Sequence, residues 1–388
     1  MKKIYFDHNA TTPVHEEVFE AMLPYLKEEW GNPSSIHWAA RAPRKAVDTA
    51  RERIAAFLNC TPLEVIFTSS GTESDNHAIK GLVNAKKGKG NHIITTKVEH
   101  PAVLNTCKHL AKEGYEVTYL GVDSKGMLDI DELKDGVTDR TILITVMYAN
   151  NETGVVFPVD EIAAIAREKG IAFHTDAVQA AGKVPLDMQK LNVDLLSISG
   201  HKLYGPKGMG ALFARRGVRL VPLIHGGHHE RNRRGGTENV AGIVGLGKAC
   251  EIASRDMERE IAQLTRLRDR LEKGLIKRIE HVYVNGDREN RLPNTTNISF
   301  EFVEGESLLL NLDMKGIAAS SGSACTSGSL EPSHVLMAMG MSHELSHGSV
   351  RFSLGRINTE EDVDYLIEEM PPIVDRMRSM SPLYAGAK

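Results

Sequence analysis

The chain has 388 residues, 41% of them hydrophobic and 25% charged, with a formal net charge of −4. That length allows two domains, or one large domain with an appendage, at the composition of a globular enzyme. The acidic balance excludes a general basic surface for nucleic acid and a polybasic run for anionic lipid, and no apolar stretch approaches the ~20 residues of a membrane span.

The N-terminal MKKIYFDHNATTPV carries no apolar run of signal-peptide length and passes straight into short strand-like and turn-like sequence. Residues 64–70, 91–98, 115–122, 141–149, 171–178, 193–199 and 208–215 then read as short apolar strands. Helical patterns at 72–85, 100–113 and 159–169 separate several of them. The alternation predicts an α/β fold with a mainly parallel seven-stranded sheet covered by helices, and such sheets bind ligands at the carboxyl ends of their strands.

Residues 250–280 read as one long amphipathic helix whose charges sit four apart, which suits an exposed connector. Beyond it the pattern runs strand, helix, strand, loop, helix, strand, helix, a smaller α+β unit. We divide the chain into a large domain at 14–256 and a small domain at 257–388; pattern alone does not say which of them residues 1–13 join, and we assign these to the small domain.

Reactive side chains recur where the strands end. The first strand runs into Ser69-Ser70-Gly71-Thr72, with Glu73 opening a helix. A helix N-terminus with a glycine and a hydroxyl can seat an anion, or it can be an ordinary cap. The second strand is followed by His100, with Pro101 in the first helical turn. Asp176 and Gln179 follow the strand 171–178. Lys202 lies in SISGHKLYGPKG, next to His201, where a lysine is either a solvated charge or, over a crevice, a Schiff-base former. Each signal is weak alone, but all fall on one edge of one sheet, as an active site would.

Of the four cysteines, none forms a CxxC pair, which fits a reducing, cytoplasmic compartment. Cys107 and Cys250 sit in helical patterns as small hydrophobes. Cys325 differs, because SSGSACTSGS (320–329) can build no core around it. From the residues alone it could be a flexible surface loop with an incidental cysteine; even half of the ten-residue tether, at ~3.3–3.6 Å per extended residue, spans well over 10 Å.

At this point the sequence resembles a known family. SGHKLYGPKG is similar to the lysine motif of pyridoxal-phosphate enzymes of the aminotransferase fold. FDHNATTP, GNPSSIH, FTSSGTESDN, EHPAV, ANNETG, HTDAVQAAGK, GGTENV and SSGSACTSGSLEPSHV, in that order, resemble the cysteine desulfurases of the NifS-like type from Ile4 to about Pro382. The resemblance implies fold type I and the cofactor pyridoxal 5'-phosphate, carried by Lys202. It implies that Asp176 pairs with the ring nitrogen and that His100 stacks on the ring and moves protons. Gln179 and Asn151 would bond the ring oxygen, although Asn150 stands beside it. Gly71, Thr72, Ser199 and His201 would hold the phosphate, with Thr237 reaching in from the other subunit of a homodimer. Arg351 would grip the substrate carboxylate, with Asn151 beside it.

The implied reaction takes L-cysteine to L-alanine and leaves sulfur on Cys325 as a persulfide. The implied receiver is a sulfur-acceptor or iron–sulfur scaffold protein, where Cys325 could serve as a transient cluster ligand; no resident metal is expected. The same cofactor would also serve a selenocysteine lyase or an aminotransferase, and a non-catalytic sulfur-relay scaffold is a rival of another class. Cys325 argues against a transaminase, and intact Lys202, Asp176 and Arg351 argue against a scaffold.

Two motifs look like metal sites. HELSH (343–347) spells the HExxH zinc pattern, which needs a sustained helix to put both imidazoles on one face, whereas Gly340 and Gly348 bracket it here. HGGHHERNRRGG (225–236) gathers histidines and arginines in a turn-rich loop; the resemblance makes it the segment that delivers Thr237. His229 and Asn232 depart from the residues many relatives carry there.

Overall fold

The computed structural model describes residues 2–321, 331–381 and 384. Twelve strands are formed among them: β1 (Ile4–Tyr5), β2 (Val65–Thr68), β3 (His92–Thr96), β4 (Glu116–Leu120), β5 (Thr141–Thr145), β6 (Ala172–Asp176), β7 (Leu195–Ser199), β8 (Gly210–Ala214), β9 (Val282–Asn285), β10 (Thr295–Phe300), β11 (Ile317–Ala318) and β12 (Ser349–Ser353). The large sheet has the order β2-β8-β7-β6-β5-β3-β4. Only β8 runs antiparallel to its neighbours β2 and β7. The expected mainly parallel sheet is therefore present, with strands shorter than their apolar runs; β5, for example, stops at Thr145.

The strands alternate between two apolar layers, as a side-chain period of two requires. Ile66, Ile93, Leu143 and Leu212 face the helices Gly71–Ala85 and Pro101–Lys112. Phe67, Ile94, Ile144 and Phe213 face the helices Arg41–Leu58 and Val159–Glu168. Burial on both faces explains why these strands read as nearly continuous apolar runs.

The long helix spans Val240–Arg278, so it starts ten residues before the expected 250, and it is not an exposed connector. At 1.5 Å per residue it is about 58 Å long. Its first half, with Ile243, Leu246 and Ile252, joins the core of the large sheet. Its second half, with Leu264, Leu271 and Leu275, joins a separate apolar cluster with Phe300, Phe352 and Leu366. Gly247 permits the close approach to the helix Arg41–Leu58: a Cβ there would sit 2.7 Å from the Ala50 Cα.

That second cluster covers the three-stranded antiparallel sheet β12-β10-β9. It also contains Ile4 and Phe6, because β1 pairs in parallel with β11. The chain after Phe6 then turns toward the large sheet and places Asn9 and Ala10 at the carboxyl ends of its strands.

Candidate active site

A cavity of about 250 Å³ opens at the carboxyl ends of β3, β5, β6 and β7, bounded on one side by the N-terminus of the helix Gly71–Ala85. Gly71, Thr72, His100, Asn151, Asp176, Gln179, Ser199, His201, Lys202 and Arg351 all line it. Ten of the twelve site residues named from the sequence thus converge from segments up to 280 positions apart (351 − 71). Thr237 does not line the cavity and is exposed. Cys325 lies outside the described residues.

β7 ends at Ser199 and a single 3-10 turn, Gly200–Lys202, follows. This turn aims the Lys202 ammonium at the N-terminal segment, where Nζ donates to the carbonyl of Asn9 and to that of Ala10, the latter at 2.6 Å. Lys207, five residues on, is exposed and outside the cavity.

Asp176 is the last residue of β6 and is 7% exposed, with Oδ1 accepting from the Val178 N–H at 2.9 Å. Burial raises its pKa, while the Val178 hydrogen bond and the Lys202 charge pull it down. Behind it stands His174, two residues back on the same face of β6. Its ring lies between Thr145 Oγ1 at 2.8 Å and Ser197 Oγ at 3.0 Å. Asp75 Oδ1 is 3.6 Å from His174 Nε2. Burial and the charge of Asp176 push the Asp75 carboxyl well above the usual range, which favours its protonated form. Burial alone drives His174 down to about 3, so its ring is neutral. The carboxyl group at the cavity floor is therefore backed by the neutral, hydrogen-bonded ring of His174.

His100 caps the helix Pro101–Lys112, accepting from the Ala102 N–H at Nδ1, 3.1 Å away. Burial, then the charges of Lys202 and His334, lower its pKa to about 4. A neutral ring that accepts at Nδ1 carries its proton on Nε2. Gln179 donates to the Asn9 carbonyl at 3.0 Å, and its Oε1 is buried without a hydrogen-bond partner among the described residues. Between the two asparagines the geometry is decisive. Asn150 spends its side chain on Val98 O at 3.0 Å and on the N–H groups of Glu152 and Thr153, whereas Asn151 lines the cavity.

At the helix N-terminus, Gly71 lies so close to β6 and β7 that a Cβ would meet Val178 Cγ2 at 2.7 Å. The first N–H groups of a helix lack intrahelical partners and favour an anion. Glu73 braces this corner: it accepts from Ser69 N at 2.8 Å and from Arg234 Nε at 2.9 Å. His201 supplies Nδ1, 3.2 Å from Thr11 Oγ1. Arg351, on β12, is 2% exposed and enters from the small sheet.

The sequence reading missed several of these partners. Asn9 and Ala10 act through backbone carbonyls, which leave no side-chain signal. Asp75 lies one turn inside a helix, where an acid reads as a surface charge; its clue was its position four residues after Gly71. Glu152 is buried and accepts from Ser333 Oγ, and His334 Nε2 contacts the Glu99 carbonyl at 3.0 Å. HELSH forms a helix of only five residues, and among the described residues no group of His, Cys, Asp and Glu is arranged to hold a metal ion.

The seven-stranded sheet, the small antiparallel sheet and the lysine-centred crevice between them define the fold type I architecture of pyridoxal-phosphate aminotransferases. The model of the aminotransferase class-V family matches residues 4–366, and the chain belongs to that family. Within it, the chain is 58% identical to a cysteine desulfurase of Nostoc sp. over 382 residues, 98% of this chain and 95% of that one. A solved NifS-like protein superposes with a TM-score of 0.91 at 39% identity, covering 97% of this chain and all of that one. SspA, solved in complex with cysteine, gives 0.81 at 38% identity over 91% of this chain and 99% of that one.

Proposed function

We infer that the protein is a cysteine desulfurase that converts L-cysteine to L-alanine and transfers the sulfur to Cys325 as a persulfide. The observation that carries this reading is the meeting of Lys202, Asp176, His100 and Arg351 in one cavity beside an anion-seating helix N-terminus.

The residues fit pyridoxal 5'-phosphate. Gly71, Thr72, Ser199 and His201 surround the anion seat, which suits its phosphate. Asp176 suits a protonated ring nitrogen, and the unpartnered Gln179 Oε1 suits a ring hydroxyl, with Asn151 alongside. When bound, the cofactor supplies a carbonyl carbon that takes up the substrate amine and a conjugated ring that accepts the electrons left at Cα.

The chain's own groups do the rest. Arg351 binds the cysteine carboxylate through its planar fork. Lys202 Nζ takes the Cα proton and returns a proton to carbon. His100 covers one face of the site and offers Nε2–H as a donor. The Cys325 thiolate attacks the substrate sulfur; the Cβ–S bond breaks as the S–S bond forms. Cysteine and the enzyme thiol thereby yield alanine and the enzyme persulfide with atoms in balance.

Residues 14–256 and 1–13 with 257–388 act as the two domains of this enzyme; the cluster of Ile4, Phe6, Leu271, Phe300 and Phe352 supports the division, while Leu292, Val335, Leu336 and Met339 pack into the core of the large domain. The working form is a homodimer. The exposure of Thr237, away from its own chain's cavity, supports a role for it in the site of a second copy. The persulfide passes to an acceptor or iron–sulfur scaffold protein in the cytoplasm; free Cys60, Cys107 and Cys250 suit that reducing compartment.

Borohydride reduction of the holoenzyme, followed by peptide mapping, tests the cofactor assignment. The pyridoxyl group is expected on Lys202, and its recovery on Lys207 would overturn the site.

A further inference from the structure

On the opposite edge of the large sheet lies a second cavity, of about 770 Å³, which the desulfurase reaction does not use. It is bounded by the C-terminal end of the helix Gly71–Ala85 and by the segments that enter β6 and β7 and leave β8. The five-residue strands separate it from the Lys202 cavity by about 17 Å.

Its lining is strongly basic: Lys86, Lys89, Arg167, Arg215 and Arg219, against Asp194 as the single acid. Five cations minus one carboxylate leave +4 here, in a chain whose formal total is −4. Two of the cations are fixed by the fold. Arg215 donates to the carbonyls of Val193 at 2.8 Å, Met188 at 2.9 Å and Leu191 at 2.7 Å, and Lys86 donates to Ile142 O at 3.2 Å. Among the described residues Arg167 bonds the neutral Asn192 side chain, at 2.6 Å, and no carboxylate. The side chains of Lys89 and Arg219 make no hydrogen bond or ion pair with any described residue. Asp194 is half spent, since its Oδ2 accepts from Phe173 N at 2.9 Å. Burial depresses the Lys86 pKa, Asp194 draws it back up and Lys89 depresses it further.

Like charges held around a concavity raise the local concentration of anions. The volume lies inside the range of about 300–1,000 Å³ typical of small-molecule sites. Leu82, Ile171 and Val218 add an apolar strip to the same wall. Arginine forks at Arg167 and Arg219 match phosphate oxygens two at a time, and a lysine adds a point charge. We propose that this basic cavity binds a small phosphorylated anion carrying two or more phosphate groups. The proposal stands independently of the desulfurase reading.

Titration calorimetry of the holoenzyme with tripolyphosphate, and separately with orthophosphate, tests it. Tripolyphosphate is expected to bind at millimolar concentrations or below, more tightly than orthophosphate, and to weaken as salt rises. The double variant K89E/R219E, altered only at exposed side chains, is expected to bind tripolyphosphate at least about tenfold more weakly, a loss of ~1.4 kcal/mol. Its visible spectrum and melting temperature should match those of the parent. Absence of tripolyphosphate binding, equal affinity for the two anions, or unchanged binding by the double variant would each overturn the proposal.

Discussion

Arg351 donates to Asp7 Oδ1 at 2.8 Å, tying the small antiparallel sheet to the N-terminal segment at the mouth of the cavity. A second guanidinium nitrogen donates to the Asn151 carbonyl at 3.0 Å, and Nε is buried without a hydrogen-bond partner among the described residues. The guanidinium is thus held in one plane by two different parts of the chain.

Replacing Arg351 with lysine keeps the charge and removes the fork. If Arg351 grips the substrate carboxylate, KM for L-cysteine rises about tenfold or more, the scale of one hydrogen bond to a charged group. Cofactor retention should not change. Steady-state kinetics check this, and an unaltered KM would remove Arg351 from the substrate site.

Asp176 and Asp75 are both buried acids, but the structure gives them opposite charges of duty. Burial and the charge of Asp176 push Asp75 toward its neutral form, so Asp75→Asn should leave activity within a few-fold of the parent. Asp176→Asn discards the negative charge and should lower activity at least about a hundredfold, the scale of removing one preorganised electrostatic partner. Parallel assays, with cofactor content read from the visible spectrum after gel filtration, separate the two. Equal losses would contradict the assignment.

The approach of the strands to this edge was readable because strand ends in a parallel sheet fall on one side, so His100, Asp176 and Lys202 could be placed together from pattern. The support beneath them was not. Asn9 and Ala10 reach Lys202 across more than 190 positions by backbone carbonyls, which no residue type announces. The start of the long helix was hidden by Gly242, Gly245 and Gly247. Such residues weaken a helical reading, yet Gly247 is required where the helix touches Ala50. The roles of individual side chains came from resemblance rather than periodicity, because spacing along the chain does not encode a ring, a phosphate or a thiol acceptor.

His174 predicts a specific pH dependence. Its pKa is lowered from the ordinary value to about 3 in the folded state, so the unfolded chain binds the proton first as pH falls. Its contribution to stability is full above pH ~6.5 and is lost as pH falls from there toward 3. Denaturant unfolding of the parent and of His174→Asn should show the stability difference shrinking by about 2 kcal/mol between pH 6.5 and 5. A difference that grows on acidification would mean the imidazole is charged in the fold.

Glu230 sits at φ 46° in the loop that precedes Thr237, and it is buried against Arg51 through contacts of 2.8 and 2.7 Å. It also accepts from Phe67 N at 3.0 Å. Removing one partner of a buried ion pair strands the other, so Glu230→Ala should cost about 3–5 kcal/mol by denaturant unfolding. A loss below 1 kcal/mol, on the scale of an exposed pair, would show that Arg51 finds solvent.

The central claim is that sulfur leaves cysteine by way of Cys325, and the Cys325→Ser variant tests it most directly. Holding the cofactor and moving the Cα proton need Lys202, Asp176 and Arg351 but no enzyme thiol. The variant should therefore keep the parent's visible spectrum and exchange the substrate α-hydrogen with solvent. It should form neither a persulfide nor alanine catalytically from L-cysteine. A Cys325→Ser protein that makes alanine at close to the parent rate would contradict the account.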